Sequence, residues 1–264
     1  GVCELDMGMI EDWSCLSQQD TTPYTEICAE AVENDDVFKK FKQDSRYTAI
    51  LEHVPVEQGE EYIETILQYE LDEDIINLFK ENDSIGGANL VEYDEPFGRI
   101  SPSTLRYIQN ALDISYFYGE GELNKIVEIG GGYGGLCKTI NCLCDFGEYH
   151  IYDIEPASKL QKKYLSNFKL DGEVFHHSVP EKLEDIDLLI SNYAYSELNE
   201  ELQDFYYNNL IKNAKKVYMI LNRGQVSREV LLNRAKEDFH VTIEKVLDFW
   251  PPNGYLYFTT MEKK

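Results

Sequence analysis

The sequence predicts an α/β fold, in which a parallel β-sheet is flanked by helices, closed by a C-terminal antiparallel hairpin and preceded by a helical N-terminal extension. The first sign is IVEIGGGYGG at residues 126–135, where a β-favouring run enters a glycine-rich turn that opens a helix. The second is the alternation of strand and helix patterns after it, which is typical of parallel sheets. The third is a pair of β-rich runs near the end of the chain, joined by the letters WPPNG.

Composition and net charge limit the classes of function that the protein can have. Hydrophobic residues make up 43% of the 264 residues, which is enough for a sizeable core. The 49 Asp and Glu outnumber the 24 Lys and Arg, and the formal net charge of −25 repels phosphate backbones, so we expect no nucleic-acid partner. No run approaches the roughly 18–20 apolar residues of a membrane span. Six cysteines in so long a chain fit a reducing compartment, and we expect a cytoplasmic protein.

Residues 1–118 are predicted to form a helical cap or lid region, and residues 119–264 a second domain that binds the ligand. The chain begins with Gly1 rather than Met, which predicts that a preceding segment has been removed. A helical pattern runs from 23 to 42. An acidic amphipathic stretch follows from 60 to 80, and its apolar positions predict one stripe of Ile63, Leu67, Leu71, Ile75 and Phe79. We expect this stripe to pack on the main domain or, in a homo-oligomer, on a second copy of the chain.

Another helix is predicted to begin at Ser101 and Pro102, because serine is a favoured N-cap residue and proline fits the first helical position. Its buried face is predicted to be Leu105, Ile108, Leu112 and Tyr116. This spacing places Arg106 and Tyr107 away from the centre of that face.

The second domain is predicted element by element from its periodicity. Strands are expected at 125–129, 148–154, 173–177, 187–191 and 216–221. Helices are expected at 135–144, from 156 onward, at 199–214 and at 227–238. The closing hairpin is expected to pair 241–249 with 254–261.

The glycine turn fits two ligand classes. Gly130, Gly132 and Gly135 satisfy the dinucleotide pattern GxGxxG, which is weak evidence when it stands alone. Glu128, Gly130, Gly132 and Gly134 satisfy the ExGxGxG form of class I S-adenosylmethionine-dependent methyltransferases. Glu128 distinguishes between the two ligand classes, because a carboxylate repels the pyrophosphate of a dinucleotide and attracts the ammonium and sulfonium groups of S-adenosylmethionine. The sequence therefore favours the methyl donor as cofactor.

Two further strand ends supply candidates for donor binding. Asp153 ends the second strand and is expected to accept hydrogen bonds from the ribose hydroxyls, with Glu155 as the rival two positions on. After the third strand, His176, His177 and Ser178 are expected to line the adenine edge, although a strand-end histidine without a role in the chemistry is equally consistent.

The fourth strand leads into SNYAYSEL at residues 191–198, which is expected to face the methyl group. Transfer to a hydroxyl needs a base that removes its proton. The candidates are Glu197, Tyr195 and Asp94, and a histidine stays open as an alternative. Glu197 could equally belong only to the first turn of the next helix.

The chain resembles the sugar O-methyltransferases found among polysaccharide-modifying proteins. The resemblance lies in GRISPSTLRY, VEIGGGYGGLCK, YDIEPASKLQKKYL and SNYAYSELNEELQDFYYNNLI, and it extends over roughly residues 52–222. It implies a Rossmann-like class I methyltransferase fold, S-adenosylmethionine as donor and a sugar hydroxyl as acceptor. One mild departure is Ile154, where the family typically has leucine.

Carried over by position, the resemblance implies roles for individual residues. The donor site would comprise Glu128, Gly130, Gly132, Gly134 and Asp153. Apart from the resemblance, we expect these further residues to bind the donor: Gly131, Tyr133, Ile154, His177, Ser178, Ser191 and Asn192. A lid over it would be formed by Ser101, Thr104, Arg106 and Tyr107. The acceptor side would comprise the segment 193–197. Apart from the resemblance, we expect Arg99, Tyr193, Asn222 and Arg223 to bind the substrate.

Three functions stay open at this stage. The first is methylation of a sugar hydroxyl on a glycan or polysaccharide. The second is methylation of a small non-sugar metabolite such as a phenol, because one fold serves many acceptors. The third is a non-catalytic domain of the same fold that serves as an assembly module. We expect no required metal, because no paired acidic or acid–histidine set stands at a strand end.

Overall fold

The computed structural model describes residues 22–221, 228–245 and 257–264. The helices are α1 (Thr22–Glu33), α2 (Asp35–Phe38), α3 (Ser45–Thr48), α4 (Val56–Ile66), α5 (Glu73–Lys80), α6 (Pro102–Tyr118), α7 (Gly135–Leu143), α8 (Glu155–Leu165), α9 (Ala194–Glu197), α10 (Glu200–Asn209) and α11 (Arg228–Asp238). The strands are β1 (Val91–Glu92), β2 (Arg99–Ile100), β3 (Lys125–Ile129), β4 (Glu148–Tyr152), β5 (Glu173–His177), β6 (Ile186–Asn192), β7 (Ala214–Leu221), β8 (Phe239–Lys245) and β9 (Tyr257–Lys263). Short 3₁₀ turns at Phe41–Gln43, Glu81–Ser84 and Ile211–Asn213 connect some of them.

The centre of the molecule is a seven-stranded sheet in the order β5-β4-β3-β6-β7-β9-β8. Strands β3 to β7 run parallel, and β9 pairs antiparallel with both β7 and β8. The chain begins the sheet at β3 and later returns to its other side with β6, so the strand order reverses between these two neighbours. This is the predicted Rossmann-like, mostly parallel sheet, with the predicted antiparallel closure. The predicted WPPNG turn lies outside the described residues.

The predicted strands of the main domain agree closely with the structure. The ranges 125–129 and 173–177 are reproduced without change, and the fourth strand is longer by one residue at each end. Strand β6 is almost continuously buried, as expected for a central parallel strand covered by helices on both faces. Ser101 caps α6 as predicted, because its side-chain oxygen accepts a hydrogen bond from the amide of Thr104 at 3.1 Å.

The predicted apolar stripe from 60 to 80 is wrong in part. The stretch forms two helices, α4 and α5, and Asp72 caps the second by accepting a hydrogen bond from the amide of Ile75. The first helix buries Tyr62 and Ile66 in place of Ile63 and Leu67, and Leu67 at its C-cap is 60% exposed. Tyr116 in α6 is also misassigned, since it is 82% exposed.

The N-terminal helices pack directly on the sheet domain. One buried apolar cluster joins Ile27 and Phe41 of the N-terminal region to Tyr133 and Tyr164 beside the glycine turn. A second cluster places α6 over α4 and α5. The boundary at residues 118/119 stays a prediction. In the part of the chain that the structure describes, no helix is long and apolar enough to cross a membrane.

Candidate functional site

A pocket lies at the carboxyl ends of β3 and β6, where the strand order reverses. Ligands of open α/β sheets bind at such points. The pocket is narrow, with a cavity volume of about 70 Å³, which is below the roughly 300–1,000 Å³ usual for small-molecule sites. Its lining residues are Leu51, Glu52, Val54, Ser103, Arg106, Tyr107, Asn110, Glu128, Gly130, Gly131, Gly132, Leu136, Asn192 and Tyr193.

The glycine turn forms the floor of the pocket. The amide of Gly130 donates to the carbonyl of Tyr152 at 2.8 Å, which ties the turn to β4. Gly130 has φ +76°, and a Cβ atom at this position would collide with the Cβ of Ala194. Gly134 has φ +101° and begins α7 without a side-chain cap. The turn therefore requires glycine for its backbone angles and for close packing, and it leaves the backbone accessible to a ligand.

Glu128 lies beneath this turn with only 3% of its surface exposed. The hydroxyl of Tyr149 donates to its Oε1 atom at 2.7 Å. Burial raises the pKa of Glu128 to about 8, and the charge of Asp153 adds to the increase, while the Tyr149 hydroxyl opposes it. A cation that enters the pocket would favour the ionised form and lower this pKa again. The arrangement is suited to a ligand that carries positive charge.

Asp153 stands at the end of β4, as predicted, but it does not line the pocket. Its Oδ2 atom accepts hydrogen bonds from the amide of Gly131 at 3.0 Å and from the side chain of Gln161 at 3.1 Å. Its Oδ1 atom accepts from the amide of Ile154 at 2.8 Å, the residue that precedes α8. Burial raises the pKa of Asp153 to about 6, against the effect of these donors. Asp153 thus braces the glycine turn, and its role toward a ribose stays a proposal.

The predicted adenine edge lies next to this acid. His177 stacks on Tyr152 with 4.4 Å between ring centroids, and its Nε2 atom is 2.8 Å from Nδ1 of His150. The Nδ1 atom of His176 is 3.2 Å from the Oε1 atom of Gln161. Ser178, the next residue, is half-buried. The structure keeps this group outside the pocket lining.

The end of β6 forms one wall of the pocket. Ser191 is fully buried, and its hydroxyl donates to the carbonyl of Ile129 while it accepts from the amide of Tyr195, so it joins two strands and does not face the pocket. Asn192 lines the pocket, and neither polar atom of its buried amide has a hydrogen-bond partner among the described residues. Tyr193 follows with φ +72°, a strained value for a non-glycine residue. Both features point to groups that a ligand engages.

Helix α6 forms the roof. The Nε atom of Arg106 donates to the hydroxyl of Tyr62 at 3.1 Å, and its guanidinium lies 5.3 Å from the ring centroid of Tyr193. In the described part of the chain, Arg106 has no carboxylate within ion-pair distance. Tyr107 packs against the start of α7, where a Cβ on Gly135 would meet its ring at 2.6 Å. The roof thus offers a cation and aromatic rings to the pocket.

The other two predicted lid residues lie behind the roof in a buried polar network. The hydroxyls of Ser101 and Thr104 each donate to Oδ1 of Asp83 at 2.7 Å. The amide side chain of Asn82 donates to the Thr104 hydroxyl at 2.9 Å and to the Tyr133 hydroxyl at 3.0 Å. Tyr133 was expected at the donor, yet it is fully buried and points into this network. These residues join the roof to the glycine turn.

Glu52 is a pocket residue for which the sequence carried no signal. It lies between α3 and α4 with φ +59°, and the hydroxyl of Tyr133 donates to its Oε1 atom at 2.8 Å. Behind it, Lys42 is almost completely buried, and its Nζ atom donates to the carbonyl of Asn82 at 2.6 Å. Burial raises the pKa of Glu52, while Lys42 and the Tyr133 hydroxyl oppose the increase. No periodicity or motif distinguishes this glutamate, because tertiary contacts alone bring it to the pocket.

The predicted bases do not line the pocket. Asp94 is exposed in the loop between β1 and β2, and the predicted substrate residue Arg99 is exposed in β2. Tyr195 is 2% exposed, and its hydroxyl donates to the carbonyl of Gln203 at 2.9 Å. Glu197 is half-buried in the one-turn helix α9.

Two further predicted substrate residues, Asn222 and Arg223, lie outside the described residues. Of the predicted set, the pocket brings together Glu128, Gly130, Gly131, Gly132, Arg106, Tyr107, Asn192 and Tyr193. Among the described residues, no group of three or more His, Cys, Asp or Glu could hold a metal ion, and the absence of a metal requirement stays a prediction.

The chain matches no protein-family model and no curated protein. Among solved structures, it is similar to a protein from Pyrococcus horikoshii described as a candidate RNA methyltransferase, with 16% identity, a TM-score of 0.45, and coverage of 74% of this chain and 99% of that chain. It is also similar to magnesium protoporphyrin IX methyltransferase from Synechocystis PCC 6803, solved with bound S-adenosylmethionine, with 10% identity, a TM-score of 0.49, and coverage of 61% and 81%.

An rRNA methylase from Streptococcus thermophilus is similar as well, with 12% identity, a TM-score of 0.41, and coverage of 60% of this chain and 94% of that chain. At such identities and TM-scores, the likeness says nothing about what this chain acts on. The expected exclusion of nucleic acid as a partner therefore stays a prediction.

Proposed function

We propose that the protein is an S-adenosylmethionine-dependent methyltransferase that transfers the methyl group to a hydroxyl of a sugar. The observation that carries the proposal is the buried carboxylate of Glu128 under a glycine turn, in a pocket at the point where the sheet order reverses. A dinucleotide would bring a pyrophosphate close to this acid, whereas the methyl donor brings a sulfonium and an ammonium group.

The roof supplies the complementary charge for the donor. Arg106 faces the pocket without a carboxylate partner among the described residues, so the carboxylate of the donor's methionine part is a suitable ligand for it. Glu128 and Arg106 would then read the two charges of an amino-acid group at opposite sides of one pocket. A nucleoside without that group would satisfy neither.

The acceptor is proposed to approach from the wall at Asn192 and Tyr193. The amide of Asn192 offers an NH₂ group as donor and an oxygen as acceptor, which suits a hydroxyl group, and the ring of Tyr193 offers an apolar face for a sugar ring. The net charge of −25 favours a neutral acceptor over a polyanion. The same wall would also accept a phenol, which keeps a small non-sugar acceptor as the second candidate.

The proposed reaction is an in-line displacement. The acceptor oxygen attacks the methyl carbon, the carbon–sulfur bond breaks, and its electron pair goes to sulfur. The products are a methyl ether, S-adenosylhomocysteine and one proton, which a base must accept. The protein contributes mainly by holding the acceptor oxygen in line with the methyl group.

Calorimetry with S-adenosylmethionine and, separately, with NAD tests the donor. We expect saturable binding of the first and none of the second, and binding of NAD alone would refute the proposal. Incubation with methyl-labelled donor and an array of sugars and phenols then tests the acceptor. Label on phenols but not on sugars would favour the second candidate, and donor binding without transfer to any member would favour a non-catalytic assembly module.

A further inference from the structure

The carboxylates that line the pocket offer a base that the sequence did not suggest. Among the described residues, only Glu52 and Glu128 bring a carboxylate to the pocket lining. Glu128 lies under the glycine turn, where the proposed function assigns it to the donor's positive charge. We infer that Glu52 is the general base that removes the proton from the acceptor hydroxyl. This inference rests on the proposed function.

The geometry leaves one oxygen of Glu52 available. Its Oε1 atom accepts the hydrogen bond from Tyr133 at 2.8 Å, and its Oε2 atom has no hydrogen-bond partner among the described residues. The bond to Tyr133 fixes the carboxylate, and Tyr133 is itself held by Asn82 at 3.0 Å. Glu52 also keeps a left-handed backbone conformation, with φ +59°, that a non-glycine residue adopts only when its surroundings require it. The chain thus maintains strain to place this side chain in the pocket.

The electrostatic surroundings suit proton transfer. Burial raises the pKa of Glu52, which brings a carboxyl group closer to the range in which a base works near neutral pH. The titratable and charged groups that act on it or that it acts on are Lys42, Tyr47, Asp83, Arg106, Tyr107, Tyr133 and Tyr164. Of these, the buried Lys42 opposes the increase most strongly, so it keeps the ionised form accessible.

The step balances without a further reactant. As the acceptor oxygen forms its bond to the methyl carbon, its O–H bond breaks and the proton passes to Oε2 of Glu52. The carbon–sulfur pair leaves with sulfur as S-adenosylhomocysteine forms. Glu52 returns its proton to water when the products leave.

The test compares Glu52→Gln with Glu57→Gln in the full chain, because Glu57 undergoes the same chemical change on the exposed first turn of α4. The acceptor is the sugar or phenol that the unaltered protein methylates best in the array. For Glu52→Gln we expect kcat to fall by about 100-fold or more, as for loss of a general base, with the dissociation constant for S-adenosylmethionine within about threefold of native. Glu57→Gln should retain native kcat.

Three outcomes would overturn the inference. If Glu52→Gln keeps more than about half of native kcat, Glu52 is not the base. If it weakens S-adenosylmethionine binding by about tenfold while kcat at saturating donor stays native, Glu52 binds the donor's ammonium group. If the unaltered protein binds the donor but methylates no acceptor, the proposed function falls, and the base falls with it.

A second variant guards against misfolding of the first. Glu52→Asp keeps the charge but withdraws the carboxylate by one methylene group. We expect a fall in kcat of about tenfold and a shifted acidic limb in the pH dependence of kcat, with the donor dissociation constant unchanged. A folded Glu52→Asp protein with native kcat and a native pH profile would also overturn the inference.

Discussion

The floor and the roof of the pocket are built in different ways. The floor comes from one continuous stretch, in which β3, the glycine turn and α7 follow each other along the chain. The roof comes from separate segments, residues 51–54 and helix α6, which the fold brings together. Each side contributes one carboxylate with a raised pKa, Glu128 below and Glu52 above. A carboxylate with a raised pKa is therefore placed in the floor by local sequence and in the roof by packing between distant segments.

The two carboxylates differ in what holds them. Glu128 is a strand residue, and its partner Tyr149 lies on the adjacent strand β4. Glu52 is held by Tyr133, which is 81 positions away in the chain and belongs to the buried network with Asn82. A change in the floor should therefore act on the turn itself, whereas a change in the network should loosen the roof and leave the turn intact.

The largest effect is expected from Gly130→Ala in the floor. The change forces a Cβ atom into Ala194 at a residue with φ +76°, so we expect a loss of about 3 kcal/mol or more in the free energy of unfolding. Gly119→Ala is the matched control, because Gly119 has φ +78° but no atom within 4 Å of the added Cβ. It should lose about 1–3 kcal/mol from backbone strain alone, since its ψ of −156° lies in a region that glycine almost exclusively adopts, and this loss should be smaller than that of Gly130→Ala. Denaturant unfolding measures both, and equal losses would show that the collision is unimportant.

The next effect is on donor binding by Glu128→Gln. The amide cannot ionise when the cationic donor enters the pocket, as the carboxyl group of Glu128 can, so S-adenosylmethionine binding should weaken by about 100-fold, or about 2.7 kcal/mol. Calorimetry measures the affinity, and Glu122→Gln, an exposed residue before β3, is the control. Unchanged affinity in Glu128→Gln would remove the main support for the proposed donor.

The same acid predicts how stability depends on pH. The pKa of Glu128 rises from 4.5 to about 8 on folding, so between these values the folded protein holds a proton that the unfolded chain has released. The contribution of protonated Glu128 to the free energy of unfolding is fully present below pH 4.5. It is lost as pH rises through 8, at up to about 1.4 kcal/mol per pH unit. Glu128→Gln lacks this loss. From pH 5 to 8, the free energy of unfolding of the native protein should therefore fall relative to that of Glu128→Gln. A difference between the two proteins that stays constant with pH would contradict the prediction.

A smaller effect is expected from Tyr133→Phe in the network. The variant loses the hydroxyl that donates to Glu52 and accepts from Asn82, and we expect a loss of about 1–2 kcal/mol in the free energy of unfolding. Donor affinity should stay within about threefold of native, because the variant removes only the hydroxyl of Tyr133, which points away from the pocket, and keeps the backbone of the glycine turn. Tyr116→Phe, on a side chain that is 82% exposed, should change neither quantity. A tenfold loss of donor affinity in Tyr133→Phe would show that floor and roof are not separable.

The errors in the sequence prediction have a common physical origin. The stripe from 60 to 80 assumed one helix with one buried face, whereas the chain forms two helices, and the first of them buries Ile66 and leaves Leu67 exposed. The hydroxyls of two expected donor residues, Ser191 in β6 and Tyr133 in the glycine turn, form hydrogen bonds inside the fold, and their role toward the donor stays a prediction. Periodicity identifies a face or a strand end, but not which neighbour a side chain meets there.

The amino-acid sequence was sufficient for the sheet, its antiparallel closure, the cap at Ser101 and the acid of the floor. Each of these depends on contacts between residues close in the chain or on strict alternation, which periodicity and turn residues record directly. Arg106 and Asn192 were expected near the donor, but only the tertiary structure placed Glu52 with them around one pocket. Their positions depend on helix packing and on buried hydrogen bonds between distant segments, and no local pattern in the sequence records such contacts.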